Sequence, residues 1–326
     1  MKLRLRAVML TIALALPAGA AAQIADSYRE VANRIIAAAQ TDSSAFHRLA
    51  ELTDTFGPRL SGSRNLEDAI DWILTQMTAD GLDNVHGEAV IVPHWVRGKE
   101  SARLLSPRNQ PLNILGLGRS VGTPWRGIKA EVLVVGSFEE LDARSTEAAG
   151  KIVLYNVPFT TYGETVQYRS RGAVEAAKHG ALAVLVRSVT PHSLNTPHTG
   201  AMSNYPDDGI KIPAAAVTVE DAMMMQRMAD RGETLVVRLK MGAKTLPDAS
   251  SRNVVAEITG SEFPDEVIVM GGHIDSWDVG TGAMDDAGGC VAAWEALNLL
   301  KELGLRPRRT VRVVMWTNEE KGLEGG

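Results

Sequence analysis

Residues 271–289 hold the densest group of reactive side chains in the sequence. His273, Asp275, Asp278, Asp285 and Asp286 stand there among six glycines, directly after the apolar run 267–270. An imidazole and several carboxylates on a loop of small residues offer the donors that Zn²⁺ or a similar divalent ion takes. A second polar cluster, Asn318-Glu319-Glu320, follows the apolar run 310–316. Each group also has a plainer use. His273 could be an ordinary hydrogen-bonding residue, Asp285-Asp286 a helix N-cap, and Glu319-Glu320-Lys321 a solvated turn.

The elements around these residues decide between the readings. Residues 267–270 read as a strand, 286–303 as a helix stopped by Gly304 and Pro307, and 310–316 as a second strand. Strand, helix and strand make a βαβ unit with two parallel strands in one sheet. Open α/β sheets place their sites at the carboxyl ends of such strands, so both polar clusters reach one crevice. His273, Asp285 and one of the two glutamates then become metal donors, while Asp286 serves the helix start. Asp275, two residues after His273, is placed to orient the imidazole or the base beside it, and Asp278 to support the loop. Adjacent glutamates cannot face one ion alike. One is expected on the metal and the other as base to a metal-activated water.

Rival motifs do not hold. An EF-hand from Asp275 fails because its third position is Trp277 and its twelfth Asp286. Gly118-Arg119-Ser120-Val121-Gly122 matches G-x-S-x-G, but Thr123-Pro124-Trp125 is a poor start for the helix a nucleophile elbow needs. A dinucleotide fingerprint counted from Gly116 and Gly118 meets Val121 where its third glycine belongs. His192 and His198 share a polar loop with no neighbouring carboxylate before Asp207, which fits substrate contact or plain loop structure better than a second metal site.

Upstream, helical spacing of apolar residues predicts two helices over 24–56, divided near Asp42-Ser43-Ser44. Residues 57–63, Gly-Pro-Arg-Leu-Ser-Gly-Ser, read as a loop, and Asn65 as the cap of a third helix stopped by Gly81. Short β-like segments occupy 85–105. Strand-like runs at 131–135, 151–155, 181–186, 214–219 and 235–239, with helices near 165–178 and 219–231, mark a separate module over 112–244. The expected organisation is a leader at 1–22, an N-terminal segment at 23–111, the module at 112–244 and a catalytic segment at 245–326.

The first residues look like a cleaved secretory signal. Lys2, Arg4 and Arg6 precede an apolar stretch over 7–16, and Ala20-Ala21-Ala22 supplies small residues for cleavage. Secreted or periplasmic placement follows as an expectation, with no membrane attachment after cleavage. Losing the leader takes the net charge from −5 to −8, which argues against nucleic acid as a partner. Cys290, the single cysteine, excludes an intrachain disulfide and reads as a small buried helix residue. Hydrophobic content of 45% is ample for a core in one large or two medium domains.

The stretches Gly-Gly-His273-Ile-Asp275-Ser-Trp-Asp-Val-Gly, Gly-Ala-Met-Asp285-Asp286 and Trp-Thr-Asn-Glu319-Glu320 resemble the co-catalytic zinc exopeptidases, which include aminopeptidases and glutamate carboxypeptidases. Ser-Gly-Ser-Arg64, Thr-Pro-His198-Thr-Gly, Ile-Pro-Ala-Ala-Ala-Val-Thr-Val-Glu-Asp221 and Lys-Met-Gly-Ala-Lys244 extend the resemblance over nearly the whole mature chain. It implies an α/β fold, a mostly parallel sheet flanked by helices, with an inserted domain of protease-associated type. It implies that His273 binds one Zn²⁺, Asp285 bridges two, Glu320 binds the second, Glu319 is the general base and Asp275 orients the site. The implied reaction is hydrolysis of a terminal bond in a dipeptide or short peptide, with a homodimer as the implied assembly. The same pattern asks for a further aspartate and a distant histidine, so three of five ligands are present and a C-terminally truncated copy, weak in metal binding and hydrolysis, is expected. An aminopeptidase of the same architecture and a non-catalytic peptide- or partner-binding module are the alternatives.

Overall fold

The computed structural model describes residues 18–203, 205 and 209–326, with side chains from Asp26 onward. The leader expected at 1–22 lies outside the described residues except at its end. Two helices, α1 (Ala18–Thr41) and α2 (Ser44–Glu51), break where Asp42 takes the Ser44 N–H at 3.0 Å. A π-helical turn, Leu52–Phe56, and the loop 57–63 lead to α3 (Arg64–Ala79). The cap of α3 is Ser63, not Asn65: the Ser63 hydroxyl accepts the Leu66 N–H at 3.3 Å from an extended backbone (φ −87°, ψ 153°). An N-cap needs that non-helical geometry. Asn65 is already helical and donates its amide to the Phe56 and Pro58 carbonyls. The long strand β1 (Asp83–Val96) closes this part.

Next come β2 (Glu100–Ser106), β3 (Gln110–Leu112), β4 (Ile114–Gly116), β5 (Ile128–Val135), α4 (Phe138–Ala143), α5 (Ser145–Ala148) and β6 (Ile152–Tyr155). α6 (Tyr162–Lys178), β7 (Ala183–Arg187), β8 (Ala214–Val217), α7 (Val219–Asp230) and β9 (Val236–Met241) follow. The chain ends with β10 (Lys244–Ile258), β11 (Phe263–His273), a second π-helical turn (Ala283–Ala287), α8 (Gly288–Glu302) and β12 (Arg309–Trp316).

Among the described residues the strands form two sheets. One has four strands in the order β1-β10-β12-β11, the other eight in the order β3-β2-β9-β5-β6-β7-β8-β4. β11 and β12 run parallel, with His273 beside Trp316, as the βαβ pattern predicts. Over these four strands the sheet is mixed rather than mostly parallel, because β1 with β10 and β10 with β12 are antiparallel. In the larger sheet β5, β6, β7 and β8 are parallel neighbours. Their alternation of side chains feeds two cores. Ile152, Leu154 and Leu185 pack toward α7 with Ala222 and Met225, whereas Val153, Tyr155 and Val184 pack toward α6 with Ala173 and Ala176.

A third core holds the smaller sheet. Leu66, Ile70, Ile73 and Met77 of α3 meet Cys290, Val291, Trp294 and Leu297 of α8 over Val254, Ala256, Val313 and Met315. Cys290 is buried there, as expected, and burial pushes its thiol pKa up. Burying such side chains stabilises by about 1.5–3 kcal/mol each relative to exposure, enough to hold α8 and the two strand ends in one rigid frame.

The chain leaves the smaller sheet at Val96 and returns at Lys244, and these two residues pair across β1 and β10. At that crossing Gly98 adopts a positive φ of 69°, and a Cβ there would lie 2.5 Å from the Gly242 carbonyl oxygen. No other residue type meets both demands without strain.

Candidate active site

β11 delivers His273 and β12 delivers the turn that carries Glu319 and Glu320. The parallel register sets the two strand ends side by side. A Cβ on Gly272 would sit 2.2 Å from an Asp286 carboxylate oxygen, so glycine lets Asp286 reach in. Asp286 then accepts the His273 N–H (3.2 Å) with one oxygen and the Gly289 N–H (3.2 Å) with the other. The start of α8 is thereby tied to the end of β11. Asp286 is spent on that junction, while Asp285, 77% exposed, points outward.

The His273 ring lies between two partners. Its Nδ1 faces the Asp275 backbone carbonyl at 3.0 Å, and its Nε2 lies 3.0 Å from Asp285 Oδ1 and 3.8 Å from Glu319 Oε2. A carbonyl only accepts, so Nδ1 carries a proton. Burial would lower the imidazole pKa. The Asp275, Glu319 and Asp285 carboxylates outweigh it and lift the value to about 9.

Asp275 is the hub of the cluster. Its side chain is fully buried and accepts the Glu319 N–H (3.0 Å), the Glu320 N–H (3.3 Å) and the Ser61 hydroxyl (3.1 Å). Asn318 turns the chain just before, with φ at 69°, a left-handed value uncommon outside glycine. Strained backbone of this kind concentrates at functional sites. Glu320 is half-buried. Burial first, then the Asp285, Asp275 and Glu319 carboxylates, raises its pKa to about 8.

Four carboxylates thus crowd one imidazole. Among the described residues, no three His, Cys, Asp or Glu side chains already enclose a space that could hold a metal ion. The donors do fit a divalent cation in kind: Nδ1–H is held by a carbonyl, Nε2 is turned toward carboxylate oxygens, and the cluster carries excess negative charge. A cavity of about 310 Å³ opens beside them, lined by Gly272, His273, Asp286, Trp316, Thr317 and Glu319 among others.

Reading the sequence missed several contributors. Arg59, fully buried, sends its guanidinium to the carbonyls of Gly57, Ile274, Thr281 and Gly282. Lys321, also buried, donates to the Ser61 and Pro93 carbonyls, and burial lowers its pKa to about 8. Asp278, expected to support the loop, pairs with Arg97 at 2.5 and 2.8 Å. Only the placement of Arg59 and Ser61 in a Gly/Pro/Ser loop just ahead of a helix hinted at a special backbone; nothing in their spacing linked them to Asp275.

The other singled-out residues lie elsewhere. Ser120 is buried, and its hydroxyl is in structural use: it accepts the Ala214 N–H at 2.8 Å and donates to the Val121 carbonyl at 3.3 Å. His192 and His198 belong to the loop between β7 and β8, where the His198 N–H donates to the Ser188 hydroxyl at 3.0 Å.

Mixed α/β layers with polar clusters at two adjacent strand ends agree with the comparisons to known proteins. The model of peptidase family M28 matches residues 253–326. The chain belongs to this family. It is 36% identical to a solved peptidase M28 precursor from Shewanella amazonensis, covering 92% of this chain and 69% of that one at a TM-score of 0.88. Carboxypeptidase Q of Bos taurus is 58% identical over 298 residues, which are 90% of this chain and 63% of that protein. A zinc aminopeptidase from Bacillus subtilis shares the fold at a TM-score of 0.65 and 21% identity, covering 86% of this chain and 62% of that one. The chain spans less than two thirds of the carboxypeptidase Q it matches.

Proposed function

We propose that the chain is part of a zinc-dependent exopeptidase of carboxypeptidase Q type, acting on dipeptides or short peptides. The observation that carries this reading is the meeting of His273, Asp285, Glu319 and Glu320 above the buried hub Asp275. In this reading His273, Asp285 and Glu320 would hold the zinc, two ions in the complete site, and Asp275 orients the imidazole through its carbonyl. The bound ions would supply Lewis acidity toward the scissile carbonyl. Glu319, half-exposed and beside His273, takes a proton from the attacking water. The water oxygen bonds to the carbonyl carbon as that proton leaves, and Glu319 then returns the proton to the leaving amine as the C–N bond breaks.

The aminopeptidase alternative is favoured by the zinc aminopeptidase among the solved neighbours. Free dipeptides, compared with N-blocked and C-amidated ones, separate the two specificities. We further read the module expected at 112–244 as an inserted domain of protease-associated type, and extend it back to Glu100, because β2 and β3 pair into the same eight-stranded sheet and the chain leaves and re-enters at paired residues. Secretion or periplasmic export and a homodimer complete the proposal. No helix among the described residues is long and apolar enough to cross a membrane.

The test is zinc titration of the protein followed by amino-acid release from dipeptides. Hydrolysis should vanish with a chelator and return with Zn²⁺, and Glu319→Gln should lower kcat by about 10²–10⁴-fold with zinc still bound. Full turnover by the stripped protein would sink the mechanism.

A further inference from the structure

We infer that the loop 57–63 positions the site, with Arg59 and Ser61 as positioning residues that touch no reacting atom. This deepens the metal-site reading above and rests on it for the identity of the ion. The loop binds both halves of the site at once. Toward the β11 side, the Arg59 guanidinium spans the Ile274 (2.9 Å), Thr281 (2.7 Å) and Gly282 (3.3 Å) carbonyls, and the Arg59 N–H donates to the Ser276 hydroxyl (2.9 Å). The Ser276 N–H returns a bond to the Arg59 carbonyl at 3.1 Å. Both ends of the segment from Ile274 to Gly282, which separates His273 from Asp285, are thereby pinned to one rigid side chain.

Toward the β12 side the same loop acts through Ser61. Its hydroxyl donates to Asp275 Oδ2 at 3.1 Å, and its carbonyl takes the Lys321 ammonium at 3.1 Å. Asp275 in turn holds the N–H groups of Glu319 and Glu320. Arg59 and Ser61 are 0% and 1% exposed, so water cannot stand in for either contact. A guanidinium suits this task because its fork of donors is planar and pre-oriented. Lysine keeps the charge but has no fork to reach carbonyls on both ends of the segment.

Two variants of the whole chain test the inference, Arg59→Lys and Ser61→Ala. Ser61→Ala removes one hydroxyl and keeps the carbonyl that binds Lys321, so it remains informative if Arg59→Lys does not fold. Amide hydrogen exchange of the metal-free protein is the first readout. Residues 274–286 in Arg59→Lys, and 318–321 in Ser61→Ala, should exchange about tenfold faster or more, with α8 and β6 unchanged, as local opening requires. A zinc competition titration is the second, with a dissociation constant raised about 10–100-fold, the range for residues that orient ligands. Unchanged exchange in both segments, or an equal rise in α8 and β6, would overturn the positioning role. If the unsubstituted chain takes up no zinc, the metal reading falls and the exchange data alone decide on the loop.

Discussion

At the scale of single residues, Asp275 carries more of the site than any expected ligand. One buried carboxylate accepts from Ser61, Glu319 and Glu320, and its backbone carbonyl faces the His273 ring. Removing it strands two backbone N–H groups and a hydroxyl in a dry environment, and orphaned donors cost about 1–3 kcal/mol each. Asp275→Ala should therefore destabilise by roughly 3 kcal/mol or more, seen as a melting midpoint lower by several degrees. Asp275→Asn keeps one oxygen as an acceptor but turns its NH₂ toward a backbone N–H of Glu319 or Glu320, so it should lose at least half as much. A loss for Asp275→Asn far below that of Asp275→Ala in thermal melts would show that these hydrogen bonds do not set the cost.

Among the elements, the βαβ unit of β11, α8 and β12 does the positioning, and its entry depends on α3 packing against α8. The cap of α3 makes a separable prediction. Ser63→Ala should cost about 1 kcal/mol, and Ser63→Asp should stay within about 0.5 kcal/mol of the parent, because aspartate caps as well and suits the helix dipole. Chemical denaturation of the two variants checks this. A silent Ser63→Ala would return the cap to Asn65.

Across the whole molecule, the two sheets meet at a seam close to the site. Arg97, 7% exposed, pairs with Asp278 of the site loop and lies between the Trp95 and Trp277 rings, while also reaching the Gly116 carbonyl. Trp277 packs so tightly on Gly118 that a Cβ there would fall 2.3 Å from the indole. The segment from Ile274 to Gly282 is therefore gripped by Arg59 on one side and by the larger sheet's loops on the other. Arg97→Met should destabilise by about 3 kcal/mol, since it leaves a partly buried carboxylate unpaired. A cycle with Asp278→Asn should return a coupling of about 1–3 kcal/mol. Additive effects in that cycle would mean the pair does not bind the seam.

Much of the site could be read without coordinates, for a local reason. A βαβ unit has a near-obligatory handedness, so two apolar runs joined by a helical pattern already place His273 and Glu319-Glu320 on one edge. The register of His273 beside Trp316 bears that out. The break at Asp42, the strands from β5 to β9 and the burial of Cys290 were equally legible, because each rests on periodicity or side-chain type within a few residues, whereas the short segments expected over 85–105 are one long strand, Asp83–Val96, followed by β2. The Ser63 cap was missed, since Ser and Asn are equally good caps and only φ and ψ choose between them. What the sequence could not disclose is contact between distant segments. Arg59 and Ser61 stand more than 200 positions from Ile274 and Asp275, and a Gly-Pro-Arg-Leu-Ser loop has no period that points at a partner. Residue types and strand order were enough to propose the donors and to place the strand ends that present them side by side. Tertiary structure alone decided which of the paired acids faces outward, that Asp275 works through its own carbonyl, and that a buried arginine holds the loop. Those outcomes depend on desolvation and directed hydrogen bonds, which exist only once the segments have packed.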